Sequence, residues 1–403
     1  MSMKRFSPRR KYDVAVIGSG PAGACAATKL AEKGMGVVLM ERAPLPRNKA
    51  CGGGIVPRAI QWFPIKIDEA IERECCRAEL NILGTGFSFI AQRADPLVTM
   101  TMRERLDFLL AKGAEKAGAH LITECRVLDL KSHGEGVDIQ TTKGPFSAAF
   151  VVAADGTRSL VARKAGFPDT RPIIPAVEVE VRVGSRVFEK FHQTARFDLG
   201  LVPSGYAWAF PKREHLTLGV VARFRNAGSL KGLLDRYMES LGILHAKVLK
   251  QHASVIPIGP RGGTFVRCRT ILTGDAAGLV DPLLCEGITS ANLSGQMAAR
   301  ALIEGELKEK ETRTAYNSYL AQDILPNLRW GRALAKLVYE YPKVRNRLFR
   351  SHGQHFIDAV ADVISGKKTY GDLLMRPWVF PGLARMILGL SGRRGIDNGR
   401  EFG

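Results

Sequence analysis

The apolar positions of this chain follow two different periods. Val14-Ala15-Val16-Ile17 is a short apolar run rich in β-branched residues, which suits a parallel strand buried on both faces. Ala24 to Lys33 is Ala-rich and reads as helix, Gly34 stops it, and Val37-Val38-Leu39-Met40 reads as a second buried strand. Arg103 to Gly118 predicts another helix. His120–Ile122, Cys125–Leu130, Val137–Thr141 and Ala148–Ala153 predict strands, with Gly134-Glu135-Gly136 as a turn. From Arg171 the pattern changes. Val177 to Val183 alternates Val with Glu or Arg, the period of a half-exposed antiparallel strand, and strand character continues around Phe197, Tyr206–Phe210 and Leu216–Val221. Leu230 to Leu249 predicts a helix. Thr270-Ile271-Leu272 returns to a buried strand, and Gly287 to Leu302 predicts a helix rich in small residues. From Glu311 onward the pattern is helical and basic, broken at Pro326, Pro342, Pro377 and Pro381.

This order of elements predicts an α/β chain whose second, mostly antiparallel part is inserted between pieces of the first. The first part opens on a motif with a mechanism. Gly18-Ser19-Gly20-Pro21-Ala22-Gly23 lies between the first strand and the first helix. Gly18 permits the tight turn, Gly20 lets backbone approach a pyrophosphate, and Gly23 allows close helix–strand packing. The helix start offers free N–H groups and a positive dipole end to phosphate. Glu41 ends the second strand, where a carboxylate can bond a ribose 2′-hydroxyl. A free 2′-hydroxyl means FAD or NAD and argues against NADP at this site. The plain alternative is a glycine turn with no ligand, and the strand, helix and acid in register argue against it.

A second cluster, Asn48-Lys49-Ala50-Cys51-Gly52-Gly53-Gly54, is costly to order and suits backbone passing close to a ligand. Cys51 at its mouth reads either as a small packing residue or as a cofactor-side contact and proton donor. Ala154-Asp155-Gly156-Thr157-Arg158-Ser159 and Gly274-Asp275-Ala276-Ala277-Gly278 are polar turns, each following an apolar strand.

Composition adds limits. The chain has 403 residues, enough for more than one domain, and a formal net charge of +20. No zinc spacing, RNA-binding signature or basic zipper is present, so nucleic acid is not expected as a partner, nor is a metal. An anionic lipid surface is the expected meeting point for that charge, with general solubility as the plain alternative. The seven cysteines form no CxxC, which predicts no disulfide framework and a reducing, cytoplasmic setting. No apolar segment of signal-peptide type precedes the first strand, and no uninterrupted apolar span of membrane-crossing length exists. Tyr370 to Leu390 is apolar, interrupted by Pro377 and Pro381 and edged with basic residues. It reads either as an interfacial segment on the inner face of the membrane or as a packed C-terminal cap.

Gly18 to Gly23 with Glu41, Arg103 in Arg-x-x-Leu-Asp, Asp155-Gly156 and Gly274-Asp275 together resemble the FAD-dependent oxidoreductase superfamily of aromatic hydroxylases, flavin halogenases and prenyl reductases. FAD thus replaces NAD as the expected cofactor. Pro203-Ser204-Gly205-Tyr206-Ala207-Trp208-Ala209-Phe210-Pro211 and Lys49-Ala50-Cys51-Gly52-Gly53-Gly54 narrow the resemblance to the geranylgeranyl reductase family. On a strand Tyr206, Trp208 and Phe210 share one face, either as a core stripe or as a wall against flavin and an apolar substrate. The resemblance implies a Rossmann-like FAD-binding domain (1–75, 100–170 and 262–310), a mostly antiparallel β-sheet substrate domain (76–99 and 171–261) and a C-terminal helical region (311–403). It implies cofactor contacts from Gly18, Gly20, Pro21, Ala22, Gly23, Glu41, Arg42, Cys51, Gly52, Gly53, Arg103, Val127, Asp155, Gly274, Asp275, Gly287 and Ile288. Substrate contacts are implied for Tyr206, Trp208 and Phe210, with Cys51 and water as candidate proton donors. The implied reaction is reduction of C=C bonds in an isoprenoid chain of a lipid, quinone or pigment precursor. Electrons would come from NAD(P)H or a ferredoxin-like donor, since no second glycine-rich dinucleotide unit follows Gly36. A halogenase carries Trp-x-Trp-x-Ile-Pro on the related strand, and here Tyr206 and Phe210 replace the outer positions. A flavin-dependent hydroxylase is a second rival within the superfamily. A basic membrane-associated flavoprotein for electron transfer or binding is a rival of a different class.

Overall fold

A computed structural model describes residues 10–223, 228–243 and 246–374. Parallel strands run in the spatial order Thr270–Leu272, Gly144–Ala153, Arg10–Ile17, Val37–Met40 and His120–Ile122, with Val14 in register with both Phe150 and Val37. Val14, Ala15 and Val16 are fully buried in one core with helical residues such as Ala26, Leu30 and Ala298 and with Leu130, Val137 and Ile139 of neighbouring strands. The helix Pro21–Ala31 lies against Ile288–Glu304. Small residues make that contact close: a Cβ on Gly295 would stand 2.2 Å from the Ala22 carbonyl oxygen.

The second sheet has the order Lys247–Pro257, Ile173–Arg182, Leu216–Ala222, Gly205–Pro211, Thr194–Leu199, Arg77–Ile82 and Phe87–Gln92. It is antiparallel except where Thr194–Leu199 runs parallel to Arg77–Ile82. Alternation divides its strands between two cores. Ala207, Ala209, Leu216, Leu218 and Val220 pack on Leu233, Leu234 and Tyr237 of the helix Leu230–Ser240. Tyr206, Trp208 and Phe210 point the other way, toward the nucleotide-binding part and the long helix Pro342–Ile364. A small sheet of Gly54–Ile55, Val98–Thr101 and Ile71–Cys75 lies beside them.

The structure corrects three expectations. The helix expected over Leu230–Leu249 ends at Ser240, Gly242 adopts φ +72°, and Lys247–Pro257 is an edge strand paired along Ile173–Arg182. Pairing with Ile173–Arg182 overrides the local helical pattern there. The Val177–Val183 strand is not half-exposed, since Glu178 and Glu180 are both buried. Pro326 does not break its helix. A π-helical turn, Leu320–Ile324, leads into Leu325–Glu340, and the proline sits in the first turn, where its missing N–H leaves no bond unmade. Pro342 does start a new helix. Pro377 and Pro381 lie outside the described residues, as does the apolar segment from 375 to 390. Its first residues are core: Tyr370 is fully buried and Leu373 is buried on the short helix Tyr370–Leu374. Among the described residues no helix is long and apolar enough to cross a membrane.

Candidate active site

One cavity of about 1090 Å³ runs along the contact between the two sheets. Its polar arm follows the glycine motif. Gly18 has φ +101°, and a Cβ there would stand 2.4 Å from the Ala154 carbonyl oxygen. A Cβ on Gly23 would come within 1.9 Å of the Gly18 oxygen. Gly20 differs: the nearest protein atoms to a Cβ there are Arg103 Nη2 at 3.8 Å and Arg47 Nη2 at 3.9 Å. A side chain at Gly20 would thus enter the cavity rather than the fold, beside two guanidinium groups and the start of the helix Pro21–Ala31. That cradle fits the diphosphate of FAD.

Buried charges fix the cradle. Arg103 donates to both oxygens of Asp107 at 2.7 and 2.8 Å, and Arg47 reaches the same carboxylate at 3.0 Å. Burial works to raise the Asp107 pKa, and the Arg103 guanidinium outweighs it and holds it below the usual carboxylate range. Glu41 accepts from the Ser19 hydroxyl at 2.8 Å, from Ser19 N–H at 3.2 Å and from Ala43 N–H at 3.1 Å, and pairs with Arg47 at 3.1 Å. Against the opposing effect of burial, Arg47 and these donors keep Glu41 ionised. Ser19 and Arg47 occupy Oε2, whereas among the described residues Oε1 carries only the Ala43 bond and keeps a lone pair for a ribose hydroxyl.

At the middle of the cavity stand the loop Cys51–Gly54 and the turn at Asp275. A Cβ on Gly52 would lie 2.9 Å from Trp208 Nε1 and 3.1 Å from the Phe210 ring, so the loop packs flat on the aromatic strand. Lys212, fully buried, donates to the carbonyl oxygens of Gly52 at 2.7 Å and Thr101 at 3.1 Å. Burial pushes its pKa down to about 8. From the cavity side, Glu178 Oε1 accepts the Cys51 N–H at 2.7 Å, and burial pushes that carboxyl up to about 7. Asp275 faces Lys49 at 3.7 Å and accepts from the Thr157 hydroxyl at 3.4 Å. Asp155 accepts from Val161 N–H at 3.1 Å and so caps a short helix, and burial raises its pKa.

The far arm is apolar, lined by Leu80, Leu199 and Phe197 of the second sheet and by Phe356, Val360 and Ile364 of Pro342–Ile364. Tyr206, Trp208 and Phe210 are buried and at the same time line the cavity. The loop leading to the helix Ile288–Glu304 is clamped from several sides. Tyr206 donates to the Leu284 oxygen at 2.7 Å, Tyr339 to the Leu283 oxygen at 2.6 Å, and Arg58 and Tyr370 to Asp281 at 2.8 and 3.0 Å.

Of the residues marked from sequence, Gly18, Gly20, Pro21, Glu41, Arg42, Cys51, Gly52, Gly53, Arg103, Val127, Asp155, Asp275, Gly287, Ile288 and the three aromatics line this cavity. Ala22, Gly23 and Gly274 lie one layer behind: a Cβ on Gly274 would touch Ala22 Cβ at 3.2 Å. Arg47, Glu178, Lys212, Tyr339 and the lining of the helix Pro342–Ile364 were not marked. None of them carried a local signal: Glu178 alternates with valines as a solvated strand residue would, and Lys212 meets Gly52 only in the fold.

A glycine-motif sheet, paired arginines at its phosphate cradle and a long apolar arm define an FAD-dependent oxidoreductase. Comparison supports this: a family profile described as "FAD binding domain" matches residues 11–204. The chain is 30% identical over 379 residues to digeranylgeranylglycerophospholipid reductase 2 of Methanothermobacter thermautotrophicus, covering 89% of this chain and 92% of that protein. It is 32% identical over 324 residues to the chloroplastic geranylgeranyl diphosphate reductase of Arabidopsis thaliana, covering 75% and 68%. A solved geranylgeranyl bacteriochlorophyll reductase-like protein from Thermoplasma acidophilum shares the fold, with TM-score 0.77, 22% identity, and coverage of 95% of this chain and 100% of that one. The chain belongs to the geranylgeranyl reductase family, and it is an FAD-dependent reductase.

Proposed function

We propose that this protein saturates carbon–carbon double bonds of a geranylgeranyl-type chain carried on a lipid, quinone or pigment precursor. One observation carries the reading: the nucleotide cradle and an apolar arm walled by Tyr206, Trp208 and Phe210 form one continuous cavity. When bound, FAD in its reduced form supplies a hydride. The protein's own residues do the rest. Arg103 and Arg47, fixed by Asp107, offset phosphate charge. The flat Cys51–Gly54 loop and the aromatic strand exclude water where the arms meet. Phe356, Val360 and Ile364 hold the chain so that one alkene at a time reaches the junction.

Two further points belong to this reading. The electron donor is a soluble carrier, NAD(P)H or a ferredoxin-like protein. The net charge of +20 favours extraction of the substrate from an anionic membrane surface. The test is multiple turnover: protein that releases FAD on denaturation is mixed with a reductant and a geranylgeranyl lipid, and products are read by mass spectrometry. The expected product gains one H₂ per bond saturated. Release of FMN instead, or an unchanged lipid beside halogenation or hydroxylation of an aromatic substrate, refutes the proposal.

A further inference from the structure

We infer that Glu178 is the acid that protonates the second alkene carbon during this reduction, an assignment that rests on the prenyl-reduction reading above. Glu178 lies on Ile173–Arg182, in a cross-strand row that runs Trp208, Gly219, Glu178, His252. Gly219 leaves its place in the row to the indole: a Cβ there would stand 2.1 Å from Trp208 Cζ2. The carboxyl therefore follows the aromatic wall directly and lines the same cavity. It is 7% exposed.

Its two oxygens differ. Oε1 is held by the Cys51 N–H at 2.7 Å, an acceptor's role. Oε2 has no hydrogen bond or ion pair among the described residues, nor is it among the sealed, unpartnered atoms, so it opens on the cavity. A proton on this carboxyl thus belongs to Oε2, facing the space where the arms join. Burial is the largest influence on it and favours the protonated form, against the Cys51 N–H and Lys212. Glu180 adds to the protonated form and Arg103 to the ionised one, and His252 is the next residue in the cross-strand row. Lys212 spends its ammonium protons on the Gly52 and Thr101 carbonyls rather than on Glu178, and Glu180 is turned to His215 at 3.7 Å. Burial thus pushes the carboxyl's pKa up to about 7, the range in which a general acid both holds and releases its proton readily.

The step balances. Saturating one double bond adds a hydride to one carbon and a proton to the other. The two electrons come with the hydride from reduced FAD. The Glu178 O–H breaks as the new C–H bond forms, the alkene π pair becomes that bond, and the carboxylate left behind takes a proton from solvent. The Cys51 thiol, whose sulfur accepts the Gly53 N–H at 3.4 Å, is then a loop-shaping residue rather than the donor.

The test uses FAD-loaded protein, chemically prereduced and mixed with a geranylgeranyl lipid in a single turnover from about pH 6 to about pH 9. Wild type should slow about tenfold per pH unit above about 7. Glu178→Gln keeps the acceptor for Cys51 N–H and should be on the order of 100-fold slower, without that pH dependence. Glu178→Asp should keep the dependence at a reduced rate. Independently of turnover, infrared difference spectra of the oxidised holoenzyme should show a protonated carboxyl band that titrates near 7 in wild type and is missing in Glu178→Gln. A Glu178→Gln protein with wild-type rate and pH profile, or a carboxyl ionised throughout the range, overturns the assignment. A wild type that saturates no prenyl alkene at any pH overturns the functional reading, and this assignment with it.

Discussion

Gly20→Ala separates the cofactor's needs from those of the fold. Gly20 has φ −71° and ψ −178°, backbone that alanine adopts without strain. A methyl there would have no protein atom closer than 3.8 Å. Removing glycine's freedom in the unfolded chain stabilises by about 0.4–1 kcal/mol. Alanine is a poorer helix N-cap than glycine by a similar ~0.5–1 kcal/mol. The two nearly cancel, so flavin-stripped Gly20→Ala should melt within a degree or two of flavin-stripped wild type. The same methyl would point into the cavity beside Arg103 and Arg47, where the diphosphate is proposed to lie. Losing one hydrogen bond to a charged phosphate costs about 1.5–3 kcal/mol, or about 10- to 150-fold in Kd. Gly20→Val should lose more. Titration of the stripped proteins with FAD, followed by flavin fluorescence, measures Kd beside the melting curve. Equal Kd for wild type and Gly20→Val, or a flavin-stripped Gly20→Ala destabilised by about 2 kcal/mol or more, refutes the placement of the diphosphate. Gly23→Ala is the contrast, since its methyl would meet the Gly18 oxygen at 1.9 Å and should break the fold itself.

Asp107→Asn should destabilise the protein by roughly 3 kcal/mol or more, because the buried Arg103 and the half-buried Arg47 lose their shared carboxylate, and chemical denaturation measures it. Since the native pKa of Asp107 is depressed, its stabilisation is present above the unfolded value and is lost as pH falls. Glu178 has the opposite sign: the native state binds its proton more tightly than the unfolded chain, so stability falls as pH rises from 4.5 through about 7. Glu178→Gln should therefore be more stable than wild type above about pH 7, by up to roughly 3 kcal/mol, and the gap should close toward pH 4.5 in urea melts at several pH values. Val360→Trp should fill the apolar arm, leaving FAD content unchanged while activity on a geranylgeranyl chain falls far more than on a shorter prenyl chain; equal loss on both would place the chain elsewhere.

Much of the site was legible locally. Gly18, Gly20 and Gly23 are identified by spacing, and the structure gives each a distinct contact. The two-residue period of a strand was enough to put Tyr206, Trp208 and Phe210 on one face. The charge of Glu41 and its distance from the first strand follow from one strand–helix–strand unit. What escaped the sequence lies far apart along the chain. Glu178 meets Cys51 across 127 positions, and Lys212 meets Gly52 across 160. The alternation in Val177–Val183 looked like one wet face because nothing local tells a solvated glutamate from one covered by a glycine loop. The first residues of the strand Lys247–Pro257, up to Leu249, read as helix because its partner, Ile173–Arg182, is not its neighbour in sequence. Local spacing determines backbone shape and which side chains share a face. Only tertiary packing removes water from a carboxyl or an ammonium, and that desolvation moves Glu178 and Lys212 toward neutral pH and closes an apolar arm onto the flavin cradle.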